Sequence, residues 1–241
     1  MENRLHCVWG NRLEWLVETA ETREFCAAVI PCLNEAGTIG AVVGEALRHV
    51  KRVWVVDDGS SDRTKVEAER AGATVIRHEL NLGKGASLRD GLAAARGAGF
   101  EFAAVLDGDG QHDAGEIPKL IGTAISNGAD LVIGNRMQSC AAMTATRWWV
   151  NRWMSARLGR RIGMETPDSQ CGFRLVRLEA WAKLELRQNR FETESEMLVA
   201  FARARFKVEF VPVKCLPAQR GSRIRPIADS ARWLRWWMMT K

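Results

Sequence analysis

Two carboxylates separated by one glycine, Asp107-Gly108-Asp109, directly follow the apolar run Phe102–Leu106. Oxygen donors at that spacing beyond a strand can converge on a hard divalent cation, which in turn bridges to phosphate oxygens. A solvated turn uses the same residue types, so the pair alone leaves both readings open. An EF-hand loop does not fit, because Gln111 stands where its template wants Asp or Asn and His112 where it wants Gly. Asp57 and Asp58 form a second pair after the apolar run Val53–Val56. Helix capping by Ser60, Ser61 or Asp62 accounts for the polar residues beyond them but not for two adjacent acids. Clustered carboxylates repel unless a cation or ligand donors offset the repulsion. Two acidic strand ends on one edge therefore point to a ligand site more strongly than either does alone.

Other segments exclude competing chemistries. Asn81-Leu82-Gly83-Lys84-Gly85 has the glycine content of a phosphate-binding loop but not the spacing of a P-loop. Gly97-Ala98-Gly99 supplies only the start of a dinucleotide fingerprint, with Phe102 where the third glycine belongs, and it precedes a strand instead of following one. The six cysteines (Cys7, Cys26, Cys32, Cys140, Cys171, Cys215) contain no C-x-x-C pair and the four histidines lie near none, so a structural zinc site is not expected.

The elements that must position these residues follow from apolar periodicity. Cys26–Ile30 reads as a strand ending at Pro31, followed by a helix carrying Ile39, Val42, Val43, Ala46 and Leu47. Val53–Val56, a polar helix to about Ala71 and a short run at Ala73–Ile76 repeat the pattern. A helix opening at Gly85, the strand Phe102–Leu106, a helix from Ile117 and the strand Leu131–Ile133 continue it. Strands alternating with helices predict an α/β fold with a largely parallel sheet, whose right-handed crossovers place every βα loop at one edge. Beyond residue 140 the spacing predicts a basic, Trp-bearing helix over Arg147–Ile162. A loop then enters a short strand at Arg174, followed by a helix over Glu192–Arg205 and a strand over Val208–Val213. Leu13–Thr22 reads as a short helix without an assignable purpose.

The 241 residues suffice for one large domain with a real core, and 46% apolar against 27% charged residues excludes a disordered or fibrous chain. No stretch is long and apolar enough to span a membrane, and the N-terminus carries charges where a signal peptide would place its apolar core, so an intracellular chain is expected. The net charge of +6 is unevenly divided. Residues 1–140 hold 15 Lys and Arg against 20 Asp and Glu, whereas residues 141–241 hold 20 against 9. The basic part also holds Trp148, Trp149, Trp153, Trp233, Trp236 and Trp237, in a chain with no Tyr. Arg beside Trp suits an anionic, partly apolar surface such as lipid headgroups, although packing into a core uses Trp equally well. No nucleic-acid-binding motif appears, and a nucleic-acid partner is not expected.

Taken in order, Val29-Ile-Pro31-Cys-Leu-Asn34-Glu35, Val55-Val-Asp57-Asp58-Gly59-Ser60, Asn81-Leu-Gly83-Lys84-Gly85, Leu106-Asp107-Gly-Asp109-Gly-Gln111-His112 and Asp168-Ser-Gln170-Cys171-Gly172-Phe173-Arg174 resemble the family 2 glycosyltransferases. The resemblance is strongest to the polyprenyl-phosphate (dolichyl-phosphate) mannose and glucose synthases and covers roughly residues 25–230. It implies a GT-A fold, a Rossmann-like, mostly parallel sheet flanked by helices that binds a nucleotide-diphospho-sugar. It divides the chain into an N-terminal extension (1–24), the GT-A domain (25–215) and a basic, Trp-rich amphipathic segment (216–241). By the same resemblance Pro31, Glu35, Asp57 and Asp58 contact the nucleoside, Lys84 belongs to the donor site, and Asp107, Asp109 and Gln111 hold Mg²⁺ or Mn²⁺ with the diphosphate. Arg136, Arg147 with Asn151, Arg174 and Arg223 of Gly221-Ser222-Arg223-Ile224 match positions near the acceptor phosphate. Glu192, Glu194 and Glu196 stand where the family has an acidic stretch. Leu33 departs from a frequent Tyr and leaves the base of the nucleotide open.

The implied activity is inverting transfer of a hexose from GDP-mannose or UDP-glucose to a polyprenyl phosphate. A hydroxyl acceptor on a glycan would need a general base such as Glu194, whereas a phosphate monoester is already ionised near neutrality and needs arginines instead. A catalytically silent module that binds nucleotide sugar or membrane is the alternative outside enzymes. On a helical wheel Ile227, Ala231, Leu234 and Met238 make one stripe with Trp233 and Trp237 beside it and Arg225, Arg232 and Arg235 to the other side. That pattern predicts a helix lying in the interface of an anionic membrane, peripheral on the cytoplasmic face.

Overall fold

The computed structural model describes residues 23–138, 143–190, 192–217 and 226–239. Its core is a seven-stranded sheet in the order β3-β2-β1-β4-β6-β5-β7. The strands are β1 (Cys26–Cys32), β2 (Arg52–Asp57), β3 (Thr74–Arg77), β4 (Phe102–Val105), β5 (Leu131–Asn135), β6 (Arg174–Arg177) and β7 (Val208–Pro212). The helices are α1 (Ile39–Ala46), α2 (Thr64–Arg70), α3 (Lys84–Gly97), α4 (Ile117–Asn127), α5 (Ala145–Ile162), α6 (Leu178–Trp181), α7 (Thr193–Arg203) and α8 (Pro226–Met239). β1 is buried along its whole length because it lies between β2 and β4 with helices on its faces, which is why its sequence runs apolar without alternation.

The chain builds β1, β2 and β3 outward in one direction, then crosses back to lay β4 on the other side of β1. The reversal opens a crevice beyond the carboxyl ends of β1 and β4, where ligands bind in open α/β sheets. Asp107 follows β4 at that crevice, and Asp57 closes β2 at the same edge.

The expected strands and helices between residues 25 and 213 are present, with ends shifted by a few residues. The short helix α6 was not expected, nor was the direction of β6, which runs antiparallel to both β4 and β5. Its first residue, Arg174, pairs with Val105 at the carboxyl end of β4 and with Ile133 of β5. An antiparallel strand enters the sheet at the edge where its parallel neighbours leave. The loop 166–173 is thereby delivered to the crevice.

The C-terminal helix corrects one expectation. Trp233, expected beside an interfacial stripe, is buried with Trp236, Met154 and Leu158 of α5 and Val199 of α7 in a second apolar cluster, and Trp237 packs partly buried against it. Trp233 stacks on Trp237 at 6.3 Å, and the Arg161 guanidinium lies 4.7 Å from the Trp237 ring centre. Leu234 and Met238, on the expected stripe, are exposed. The side chains of Ile227 and Ala231, the segment Gly221–Ile224 with Arg223, and the Leu13–Thr22 segment lie outside the described residues.

One glycine sets how closely α3 lies on the sheet. A Cβ on Gly91 would stand 2.4 Å from Val29 Cγ1 and 3.1 Å from Val56 Cγ2. Gly91→Ala gains about 1 kcal/mol of helix propensity and loses about 1–3 kcal/mol to overpacking. The expected outcome is a net loss of stability, read as a lower urea midpoint with an unchanged slope.

Candidate active site

At the carboxyl end of β2, Asp58 holds a loop. Its carboxylate accepts from Leu82 N and Gly83 N at 2.8 Å each, and Oδ1 also meets His78 Nδ1 at 2.8 Å. The other ring nitrogen of His78 lies 2.9 Å from Asp90 Oδ2 on α3. Burial pulls the His78 imidazole down, but the hydrogen bonds to Asp58 and Asp90 outweigh it and the net shift is upward. Asp58, expected to contact a nucleoside, therefore fastens the 82–83 loop and through it the start of α3. Asp57 is fully buried; Oδ1 accepts from Ser60 N at 2.9 Å, while Oδ2 has no hydrogen-bond donor among the described residues and only Arg77 Nε at 3.7 Å.

Pro31 is in β1, and the loop beyond that strand is tied to both acidic clusters. Asn34 N donates to Ser60 Oγ and Glu35 N to Thr64 Oγ1, while Thr38 Oγ1 donates to the Gly108 carbonyl at 2.7 Å. A Cβ on Gly108 would lie 2.5 Å from Cys32 Sγ, so the loop carrying Asp107 and Asp109 fits against β1 only with glycine there.

Lys84, the first residue of α3, reaches Asp107 Oδ1 at 2.5 Å and Glu194 Oε1 at 2.7 Å. Burial disfavours its charge, but the two carboxylates outweigh burial and hold the ammonium above the ordinary lysine range. Burial likewise raises Asp107, and Lys84 with His112, whose Nε2 is 3.3 Å from Oδ2, brings it well below the usual carboxylate range. A Cβ on Gly172 would stand 2.6 Å from Asp107 Oδ2 and 3.1 Å from Lys84 Nζ, so the loop before β6 also closes on this pair. Asp109 accepts from Gln111 N at 3.0 Å and Gln111 Nε2 at 2.8 Å. Among the described residues no three His, Cys, Asp or Glu side chains gather into a metal cage. Two acids with an adjacent amide fit instead a hard cation that arrives with a diphosphate and keeps ligands from it.

The basic side of the crevice is organised by Asp168, buried in the loop before β6. It accepts from Arg136 Nε at 2.9 Å, Arg136 Nη2 at 3.1 Å and Asn151 Nδ2 at 2.8 Å. Burial raises its pKa, and the Arg136 guanidinium more than reverses that. Arg147 lies half-buried in the first turn of α5, four residues before Asn151 and thus on the same helix face. Arg174 does not join them. It is 2% exposed and donates to the carbonyls of Cys171, Glu194 and Ser169 at 2.7–3.0 Å, so it shapes the loop from inside instead of facing a phosphate.

The acidic stretch also differs from expectation. Glu192 Oε1 is 3.5 Å from Arg232 of α8, Glu194 pairs with Lys84, and Glu196 accepts from Arg187 N and Gln188 N at 2.9 Å. His78, Asp90, Ser155, Ser169 and Ser195 are buried or linked polar groups that pattern reading missed. A findable signal existed for one: Asn151 and Ser155 are four apart on a helix whose other face is Trp and Arg.

Comparison with known proteins shows the family and the fold. The family model for glycosyl transferase family 2 matches residues 27–184. An uncharacterized glycosyltransferase of Mycobacterium bovis is 35% identical over 198 residues, covering 80% of this chain and 86% of its own length. The UDP-N-acetylglucosamine–dolichyl-phosphate N-acetylglucosaminyltransferase of Methanococcus voltae is 30% identical over 211 residues, covering 78% of this chain and 84% of its own. Among solved structures, glucosyl-3-phosphoglycerate synthase of Mycobacterium tuberculosis, in complex with Mn²⁺, UDP and glucosyl-3-phosphoglycerate, superposes with a TM-score of 0.69 at 22% identity, covering 91% of this chain and 79% of that one.

The Lys84 cluster has a pH signature. A carboxylate whose folded pKa is depressed contributes stability above its unfolded value of about 3.9 and loses it as pH falls below that. Lys84→Met leaves the half-buried Asp107 and the buried Glu194 without the ammonium. Its unfolding free energy should fall furthest below wild type near pH 7, with the gap narrowing below about pH 4 as the wild type loses the stability that its depressed Asp107 contributes. Urea titrations from pH 3 to 7 read this directly.

Proposed function

The chain belongs to glycosyl transferase family 2 and has the GT-A fold, and from that premise we propose that it transfers a hexose, with inversion, from a nucleotide sugar to a polyprenyl phosphate at the cytoplasmic face of a membrane. The donor is GDP-mannose or UDP-glucose in this reading. One observation carries the choice of acceptor. The acids of the acidic stretch have partners: Glu192 pairs with Arg232, Glu196 accepts from two backbone amides, and Glu194 pairs with Lys84 through Oε1, although its Oε2 has no hydrogen-bond donor among the described residues. A hydroxyl acceptor would have to draw its base from these paired acids. A phosphate monoester, with a second pKa of about 6, needs none. A relative named for a dolichyl-phosphate acceptor supports the same class.

In this reading Pro31, Glu35 and Asp57 receive the nucleoside, the open Asp57 Oδ2 accepting from a base or ribose donor. Asp107 and Asp109, with Gln111, would hold Mg²⁺ or Mn²⁺, which when bound neutralises the diphosphate as it leaves. Lys84 supplies a further positive charge beside Asp107. Arg136, held in a fixed plane by Asp168, and Arg147 on α5 bind the acceptor phosphate through forked donors and aim one of its oxygens at the anomeric carbon opposite the diphosphate. Water exclusion matters because a glycosyl centre opened to solvent hydrolyses.

The membrane contact in this reading uses α5 as much as α8. Trp149 and Trp153 are 65% and 48% exposed, and Val150, Leu234, Met238 and Met239 are exposed as well. The Arg152 and Arg157 guanidiniums lie 5.4 Å and 5.2 Å from the ring centres of Trp148 and Trp153. Among the described residues no helix is long and apolar enough to cross a membrane. Trp at headgroup depth with Arg alongside is the composition of a helix that lies on an anionic bilayer.

Incubation with Mg²⁺ or Mn²⁺, labelled nucleotide sugars and a polyprenyl phosphate tests the activity. Lipid-linked product is expected, and Asp109→Asn should lower turnover by about a hundredfold or more, as removal of a principal transition-state stabiliser does, with an unchanged thermal midpoint. Transfer to soluble glycans alone would overturn the acceptor assignment. In flotation with anionic liposomes the double variant Trp149→Ala/Trp153→Ala should bind markedly less than wild type, and equal binding would remove α5 from the membrane face.

A further inference from the structure

A continuous hydrogen-bond chain joins the C-terminal helix to the acceptor arginine. Trp233 Nε1 on α8 donates to Ser195 Oγ on α7 at 2.9 Å. Gln170 Nε2 donates to the same Ser195 Oγ at 2.9 Å and to Ser169 Oγ at 2.8 Å. The Oγ atoms of Ser169 and Ser155 are 3.1 Å apart, and Ser169 N donates to Ser155 Oγ at 2.9 Å. Ser155 Oγ donates to Asn151 Oδ1 at 3.1 Å, Asn151 Nδ2 to Asp168 Oδ1 at 2.8 Å, and Asp168 receives Arg136. Ser155, Ser169, Ser195, Asp168, Asn151 and Trp233 are all nine-tenths or more buried.

We propose that α8 is a positioning element for the acceptor site, acting through the Trp233 indole N–H and this chain to fix the orientation of Arg136. The inference deepens the acceptor reading and rests on it. Burial of Trp233 needs only an aromatic ring, but its N–H meets Ser195 Oγ, an acceptor that also holds Gln170. Buried polar chains of this kind, with each member partnered, rigidify what they touch because any broken link leaves a desolvated group unpaired. Asn151 and Ser155 face inward from α5, whose outer face carries Trp149 and Trp153. Trp153 also packs edge-on against Trp233 at 5.8 Å. The element that would meet the bilayer thus also orients the group that would meet the lipid phosphate.

Trp233→Phe keeps the ring and removes the N–H, and Ser195→Ala cuts the same link from α7. Both full-length variants and wild type are assayed with a short-chain, water-soluble prenyl phosphate and no vesicles, so membrane attachment contributes nothing. The acceptor KM should rise by about fivefold in each variant, the scale of one lost hydrogen bond, with the donor KM unchanged. The Nε–H resonance of Arg136, assigned with Arg136→Lys, should shift in both variants. An unmoved resonance overturns the proposal, as does a moved resonance with an unaltered acceptor KM. Should wild type transfer to no prenyl phosphate, the acceptor reading fails, and the resonance alone decides the coupling.

Discussion

A half-buried ammonium between two carboxylates ties the molecule together. Lys84 starts α3, Asp107 follows β4 and Glu194 lies in the first turn of α7, more than a hundred residues from Lys84. Removing three charges from water costs several kcal/mol per ion unless mutual attraction and further hydrogen bonds offset it. That condition makes the geometry strict: α3 must start where its first side chain can reach both acids. Asp58, His78 and Asp90 enforce the start from behind by gripping Leu82 N and Gly83 N and clamping α3 to the end of β3. Glycines let the backbones come close enough. A Cβ on Gly83 or Gly85 would stand 2.2 Å or 2.0 Å from the carbonyl oxygens of Asn189 or Gln188. The glycine-rich segment that resembles a phosphate loop is thus also a packing surface for the chain that leads into α7.

This division of labour explains how much of the site pattern reading reached. Strand and helix positions were legible because apolar runs of four to seven residues alternate with helical spacing, and a buried parallel strand such as β1 has no other composition available. The gathering of Asp57, Asp58, Asp107 and Asp109 at one sheet edge followed from crossover handedness alone. Which member of a pair anchors a loop did not. Asp57 and Asp58 are chemically identical and adjacent, and only the return of the 82–83 backbone makes one an anchor and leaves the other with an open oxygen. Arg174 was misjudged for a related reason. An arginine is read from composition as a surface donor, but three carbonyls converge on this one because β6 enters antiparallel, a direction that its four residues do not encode.

The uneven charge of the chain also gains a spatial meaning. The acidic first part supplies the strand ends of β2 and β4. The basic second part supplies Arg136's neighbours, Arg147 and the outer face of α5. Asp168 is the exception that joins them: an acid within the basic part, buried, and paired with the last arginine of the acidic part. Asp168 holds the Arg136 guanidinium through both Nε and Nη2. So held, the guanidinium has a fixed plane and a charge stabilised by a partner on the side away from the crevice.

A pre-fixed arginine bears on the phosphate acceptor proposed for this crevice. Phosphate recognition by a mobile side chain incurs a rotamer entropy cost each time an acceptor binds, of up to about 2 kcal/mol for arginine. Here that cost is met on folding, through Asp168, Asn151 and the serines behind them, and is not incurred again in the encounter with the acceptor. The same chain ends at Trp233, whose burial depends on α8 lying against α5 and α7. If Arg136 binds the acceptor as proposed, its orientation and the attachment of the C-terminal helix are one structural condition, and a lipid surface that favoured the docked helix would favour the oriented arginine with it.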